Sequence, residues 1–272
     1  MKGRVLVVAG SDSGGGAGIQ ADIKTITALN GFAMTAITAL TAQNSIGVAG
    51  VLKTPPGFVA DQIRVTLEDL GADAVKTGMM ADAPIIEAAA EALEEHAGGV
   101  PWVVDPVMFS SARDRLLDED AAEAMKARLV SRAALVTPNM AEAEALSGRP
   151  VTTVADMEDA GRALLDLGAG AALVTGGHLG GDAVTDVLVA AGGAERFESP
   201  RIDTPHIHGT GCTLASAVAI GLAQGMELRD CVIRARNYII EAIRSAPGYG
   251  SGHGPLNHAH TVRPFGDGSD AT

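Results

Sequence analysis

Short apolar runs alternate with stretches of helical periodicity along most of this chain, and that alternation limits the fold more than any other feature. Val-, Leu- and Ala-rich runs fall at 4–9, 34–40, 48–52, 74–76, 102–104, 134–136 and 171–174. Helical spacing occupies 19–29, 58–70, 83–96, 119–130, 140–146 and 154–167. An apolar run without polar alternation reads as a strand buried on both faces, which is the habit of parallel sheets. Parallel neighbours need crossover connections, and helices supply them on both sides of the sheet. The expected fold class is therefore α/β: a three-layer α/β/α arrangement around a mostly parallel central sheet. A late hairpin is predicted from 186–190 and 196–198, and a last amphipathic helix over 228–245. No internal repeat or linker interrupts the pattern, so 1–262 reads as a single domain. The Gly-, Asp- and Ser-rich stretch 263–272 reads as a disordered tail.

Open α/β sheets bind ligands beyond the carboxyl ends of their strands. The polar residues that follow strands here are Ser11, Asp12, Gln43, Asn44, Lys76, Asp105, Asn139 and His178, and they should share one crevice. The most suggestive local stretch is His208-Gly209-Thr210-Gly211-Cys212-Thr213, followed at once by an apolar run to Gly225. This is a tight turn feeding a buried helix. The first turn of a helix has unpartnered N–H groups and partial positive charge, and glycines let an anion approach them. Phosphate, or an anionic transition state, suits that place. A plain turn before a core helix fits the same residues equally well.

Composition removes several classes of function. The formal net charge is −13 and aromatics make up 3% of the chain, which argues against nucleic acid and anionic membranes as partners. No apolar run reaches the roughly 20 residues a spanning helix needs. Cys212 and Cys231 have neither zinc nor redox spacing, so a reducing cytoplasm is expected. The apolar run near the N-terminus is too short for a signal peptide.

Three further motifs each allow two interpretations. Gly16-Ala17-Gly18-Ile19-Gln20-Ala21 matches a dinucleotide fingerprint, which would suggest an oxidoreductase. That fingerprint needs an acid about 20 residues on, and Thr38, Leu40, Thr41 and Ala42 stand there instead. Asp105 could help hold Mg²⁺ through water or brace the turn at Pro106. Asn139 and Glu142 could join it, or could form an ordinary capping box.

The order of the motifs is more specific than any one of them. AGSDSGGGAGIQAD (9–22), TAQN (41–44), KTGMM (76–80), VVDPVM (103–108), TPNMAEAEAL (137–146), GGHL (176–179), HGTGCTLASA (208–217) and GHGPLNH (252–258) follow one another along the chain. In this the chain resembles the hydroxymethylpyrimidine/phosphomethylpyrimidine kinases of thiamine biosynthesis, in the ribokinase-like superfamily. The resemblance implies phosphorylation of 4-amino-5-hydroxymethyl-2-methylpyrimidine and then of its monophosphate, with ATP as donor and Mg²⁺ as metal. It implies that Gly10, Asp22, Gln43 and Met79 hold the pyrimidine. It puts Asp105, Asn139 and Glu142 in the metal and phosphate region, and Gly209, Gly211 and Cys212 in the anion hole. Cys212 becomes the nominal base, but a helix N-terminus that lowers its thiol pKa also weakens it as a base, so its main place is in the anion hole. ATP is expected near Thr175, Gly177, His178 and the 200–208 segment including His208. A homodimer is implied as well, and a related group that phosphorylates pyridoxal supplies the alternative substrate. The chain departs from the family at two places that often carry lysine. Phe109-Ser110-Ser111-Ala112-Arg113 follows the DPVM motif, and Thr175 precedes Gly-Gly-His.

Overall fold

The central strand β1 (Arg4–Asp12) shows why the sheet is buried on both faces. Val5, Val7 and Ala9 pack into one hydrophobic cluster, while Leu6 and Val8 pack into another on the opposite side. Successive side chains of a strand point to opposite faces, so a continuous apolar run serves two cores at once. In the computed structural model, which describes residues 1–109, 116–117 and 121–263, nine strands form one sheet. They comprise β1, β2 (Phe32–Gln43), β3 (Val48–Lys53), β4 (Ala74–Thr77), β5 (Trp102–Val104), β6 (Leu135–Val136), β7 (Ala171–Val174), β8 (Ala183–Ala190) and β9 (Gly193–Pro200). Their order is β3-β2-β1-β4-β5-β6-β7-β8-β9. The six strands from β2 to β7 in that order run parallel, and β3, β8 and β9 are antiparallel additions at the two edges.

Helices cover both faces, giving the expected three layers. α1 (Gly18–Ala28), α7 (Thr210–Ala223) and α8 (Leu228–Arg244) bury their apolar sides on one face. α2 (Pro56–Leu70), α3 (Ala83–His96), α5 (Met140–Ser147) and α6 (Val154–Asp166) lie on the other. The helix expected over 119–130 is irregular where it is described. α4 (Ala121–Ala124) passes into a π-helical turn at Met125–Leu129 and a 3-10 turn at Val130–Arg132. The changes of pitch let Met125, Leu129 and Val130 all be fully buried, although two of them are adjacent in sequence. The late hairpin is longer than the sequence pattern suggested, because its outer strand β9 alternates exposed and half-buried residues instead of forming an apolar run. Residues 264–272 of the expected tail lie outside the described residues. Among the described residues, no helix is long and apolar enough to cross a membrane.

Parallel strands end on one edge of the sheet. β1 runs out at Asp12 and β2 at Gln43, while Asp105 and Thr137 follow the last residues of β5 and β6. The start of α7 faces the same edge, beside Asp105.

Candidate active site

The helix α7 begins at Gly209, whose backbone sits in the left-handed region at φ 88°. A Cβ there would collide with the carbonyl oxygen of Gly16, so the turn is closed tightly against the loop after β1. The N–H of Thr213 donates to Gly209 O, and that of Thr210 to Ile207 O at 3.3 Å. Among the described residues, the N–H groups of Gly211 and Cys212 have no protein acceptor, as expected of a helix start without a capping side chain. Gly211 is exposed, and a Cβ there would meet only the two carboxylate oxygens of Asp105, each at 3.9 Å. The expected anion hole has its donors free and its approach open.

The first glycine turn is arranged differently. Asp12 is 3% exposed, and its carboxylate accepts from the N–H groups of Gly14, Gly16 and Ala17 at 2.8 to 3.0 Å. His208 Nε2 lies 2.8 Å from Asp12 Oδ2. Burial raises the Asp12 pKa, but the bonds from His208 and the backbone outweigh it, and the carboxyl is held below its usual range. The N–H groups that a dinucleotide phosphate would need are therefore occupied. His208, expected near the nucleotide, is buried at the joint between the two turns.

Beneath the open turn lies a buried charge cluster. Lys76, at the end of β4, is fully buried, with Nζ at 3.0 Å from Asp22 Oδ1 and 3.7 Å from Asp105 Oδ2. Burial opposes its charge, yet the carboxylates of Asp22 and Asp105 prevail and raise its pKa, so it stays an ammonium. Asp22 on α1 also accepts a bond from Ser216 Oγ at 2.7 Å and is 0% exposed. The oxygens of Asp22, expected near the pyrimidine, are engaged here by Lys76 and Ser216. Lys76 is the residue the sequence left unassigned. The sequence places Lys76 in the crevice without a role, and only the fold shows the two acids around it.

Asp105 carries the cluster toward the metal region. Burial pushes its carboxyl up to about 6, the Asp22 charge adds to that, and Lys76 and the Cys212 thiol oppose it. Its Oδ2 is buried without a hydrogen-bond partner among the described residues. Glu142 is pushed up to about 8 by burial and by the charge of Asp105. Its two oxygens accept from Asn139 N at 2.9 Å and Met108 N at 3.3 Å, while Asn139 Oδ1 accepts from Glu142 N. The capping box is thus formed, with the Asn139 side-chain oxygen accepting from the first turn of α5. Asp105 and Glu142 remain a crowded pair of hard oxygen donors. Among the described residues no three acidic, His or Cys side chains converge on one point. Such a sparse donor set fits Mg²⁺, which keeps waters and substrate phosphates as most of its ligands.

Cys212 is half-buried beside this cluster. The surrounding protein pushes its thiol up to about 12, with Asp105 and Asp22 adding to the rise and Lys76 and Gly18 N–H opposing it. This overturns the expected acidified thiol: burial and two carboxylates exceed the pull of the helix terminus.

On the side of β1 and β2, Met79 Sδ lies 2.9 Å from where a Cβ of Gly10 would stand. Gln43 is held by reciprocal bonds of its backbone with Ser13 Oγ at 2.8 and 2.9 Å, and its side chain is half-buried. On the β7 side, Thr175 N donates to Pro138 O, and Gly177 and His178 are exposed. Arg201 donates to the carbonyls of Gly177, Leu179 and Gly181, a clamp on that loop that no sequence motif pointed to. Ser110, Ser111, Ala112 and Arg113 lie outside the described residues.

Solved structures share this architecture. An ADP complex of Bacillus subtilis pyridoxal kinase is 37% identical with a TM-score of 0.88, covering 95% of this chain and 98% of that one. Phosphomethylpyrimidine kinase from Clostridium difficile is 39% identical with a TM-score of 0.79, covering 89% and 100%. Fold and site define a small-molecule kinase of the ribokinase-like class. The model of the phosphomethylpyrimidine kinase family matches residues 12–257, and the chain belongs to that family. Similar curated proteins include hydroxymethylpyrimidine/phosphomethylpyrimidine kinase of Streptomyces coelicolor, 47% identical over 93% of each chain. Another is the thiamine biosynthesis bifunctional protein ThiED of Geobacter sulfurreducens, 50% identical over 94% of this chain. This chain spans about half, 52%, of that bifunctional protein.

Proposed function

We propose that the protein transfers the γ-phosphoryl group of ATP to the hydroxymethyl oxygen of 4-amino-5-hydroxymethyl-2-methylpyrimidine, then phosphorylates that monophosphate to the diphosphate. The carrying observation is the pair of free N–H groups at Gly211 and Cys212, open to the crevice above Asp105. Family membership and the names of the curated relatives support the substrate, and the ADP and AMP-PCP complexes of similar kinases support the donor.

Phosphoryl transfer depends mostly on positioning and on stabilising charge. The start of α7 donates to the phosphoryl oxygens as charge shifts onto the leaving group. Gln43 offers an amide donor and acceptor to the pyrimidine edge, with Gly10 and Met79 forming its apolar side. Thr175, Gly177 and His178 line the nucleotide, and the Arg201 clamp fixes their loop. Asp105 and Glu142 would hold Mg²⁺ through water, which when bound neutralises phosphate charge. Cys212 stays protonated at neutral pH and serves as a wall of the anion hole, not as a thiolate base. Lys76 keeps Asp22 and Asp105 in place below it.

Pyridoxal is the second candidate acceptor, favoured by the higher TM-scores of pyridoxal kinases, 0.88 and 0.89, against 0.79 for the Clostridium enzyme. The protein is proposed to act in the cytoplasm as a homodimer. Leu40 and its cross-strand partner Leu52 are exposed at the β2–β3 edge, where a second copy would cover them. An ADP-release assay with the pyrimidine alcohol, its monophosphate and pyridoxal side by side tests the substrate. Turnover of pyridoxal alone would overturn the proposal.

A further inference from the structure

The GHGPLNH motif at 252–258 is the one stretch of the family pattern without a chemical assignment above. In the structure it crosses from one substrate side to the other. At its first end, Gly252 N donates to Ser45 Oγ at 3.3 Å and His253 N to Ser45 O at 2.7 Å. Ser45 lies two residues beyond Gln43, in the turn after β2. In the middle, Gly254 O accepts from His208 N at 3.1 Å, and Pro255 forms an isolated parallel bridge with His208. At its far end, His258 Nε2 lies 2.9 Å from Thr213 Oγ1, in the first turns of α7. Both side chains are buried, Thr213 completely. The segment is anchored from below by Tyr238 Oη donating to His258 O at 2.7 Å and by Asn257 N donating to Ala242 O. Leu256 is buried between these anchors.

We propose that Gly252–His258 is a positioning strap, with His258 as its pin, that sets the separation between the Gln43 turn and the anion-hole turn at Gly211. The two turns belong to opposite halves of the chain, and each carries one reactant. Transfer requires acceptor oxygen and phosphorus to meet within a few tenths of an ångström, and a 1 Å error can cost about 100-fold. His258 touches neither reactant in this arrangement. It acts through Thr213 and the strap, so it is a positioning residue. The inference rests on the proposed transfer reaction for its kinetic test and on geometry alone for its second test.

The kinetic test compares His258→Leu, His258→Gln and Thr213→Val with the unaltered enzyme, measuring transfer to the pyrimidine alcohol and ATP hydrolysis to inorganic phosphate. A loosened strap leaves the phosphate exposed to water while the alcohol is misaligned. His258→Leu should lower transfer on the order of 10- to 100-fold. The KM values should change by less than about threefold, and the share of ATP lost to hydrolysis should rise. His258→Gln, whose amide reaches the place of Nε2, should restore the coupling. Thr213→Val cuts the same bond from the other side and should repeat the loss. A residue that is structural only would lower the melting temperature and the active fraction while leaving the ratio of hydrolysis to transfer unchanged, and that result overturns the proposal.

Hydrogen exchange supplies the second test on the same full-length variants. Amides at 43–47 and 208–213 should both exchange faster in His258→Leu, while those of β5 and α3 keep their protection. Acceleration confined to 252–258 would overturn the strap. Should the unaltered enzyme fail to phosphorylate the alcohol, the functional proposal falls and the exchange pattern still decides the strap.

Discussion

The two glycine turns of this site look alike in sequence and behave oppositely in structure. Each follows or precedes an apolar element, and each offers backbone N–H groups at the start of a helix. The turn before α1 is filled from within: Asp12 takes the N–H groups of Gly14, Gly16 and Ala17 and adds His208. The turn before α7 has no acidic residue in its first helical turn and no capping side chain, and Gly211 and Cys212 keep their N–H groups free. A carboxylate supplied by the chain occupies the space that a phosphate would otherwise take. The difference separates a structural turn from a chemical one, and it comes from a single aspartate two residues ahead of the first glycine of its run.

The comparison breaks most visibly at Gly211. A methyl group there meets nothing nearer than the Asp105 oxygens at 3.9 Å, so Gly211→Ala should fold. It should nevertheless lose turnover by about 10²–10³-fold, the scale of one lost oxyanion donor. kcat and kcat/KM should fall together. Near-normal turnover in a well-folded Gly211→Ala would remove the open turn from the mechanism. Gly209→Ala is the contrasting variant and should fail to fold, given its φ of 88° and the collision with Gly16 O.

Lys76→Met tests the floor of the open turn. It leaves two buried carboxylates without their ammonium, and removing one partner of a buried pair costs about 3–5 kcal/mol. Denaturant unfolding measures this, and a loss below about 1 kcal/mol would mean that the acids are stabilised by other groups. Asp12→Ala tests the filled turn. The N–H groups of Gly14, Gly16 and Ala17 and the ring of His208 lose their acceptor, and the buried Gly16 N–H alone costs about 1–3 kcal/mol when left unsatisfied. The expected result is a lowered melting temperature, with activity in the folded fraction reduced less than in Gly211→Ala. The reverse order of activity would exchange the roles of the two turns.

Cys212 should matter less than either turn. Cys212→Ser is expected to keep turnover within about tenfold, well short of the 10²–10⁴ that a general base contributes. Cys212→Ala should lose more than the serine variant, and no phosphocysteine should appear by mass spectrometry during turnover. The last comparison is a pH dependence at His258. Burial, with the positive charges of Lys24 and His260, lowers its pKa from 6.5 to about 4. The folded protein then binds fewer protons than the unfolded chain between those values. Its contribution to stability is present above pH 6.5 and is lost as the pH falls toward about 4. Unfolding of His258→Gln across that window should show a shallower acid loss than the unaltered protein, and identical slopes would refute the assignment.

Much of the architecture was legible in the residues. The strands at 102–104 and 171–174 and the helix at 83–96 coincide with the structure, because burial on two faces or one leaves a direct imprint on apolar spacing. The capping box at Asn139 and Glu142 was legible as one of two alternatives, since both partners are local. The site itself was only half legible. Asp22 sits in the middle of α1 and Lys76 at the end of β4, and nothing in either segment announces that they meet. The same holds for Asp12 and His208, whose pairing decides which glycine turn is open. For the Cys212 thiol, the helix terminus is a local feature visible in the sequence, while the burial that raises it and the charges of Lys76, Asp105 and Asp22 around it are not.

The bonds that join the site also say when it can come into being. Asp12 pairs with a residue 196 positions away, and Asp22 with one 194 positions away. Contacts of such separation form slowly, because a long loop must close before they reward the chain. A ribosome making this protein releases the β1–α1 unit early, with Asp22 awaiting both Lys76 and Ser216. The pieces that complete the pocket, α7 and the segment ending at His258, emerge after all nine strands. A nascent chain stalled before α7 therefore carries every strand of the sheet without the turn at Gly211.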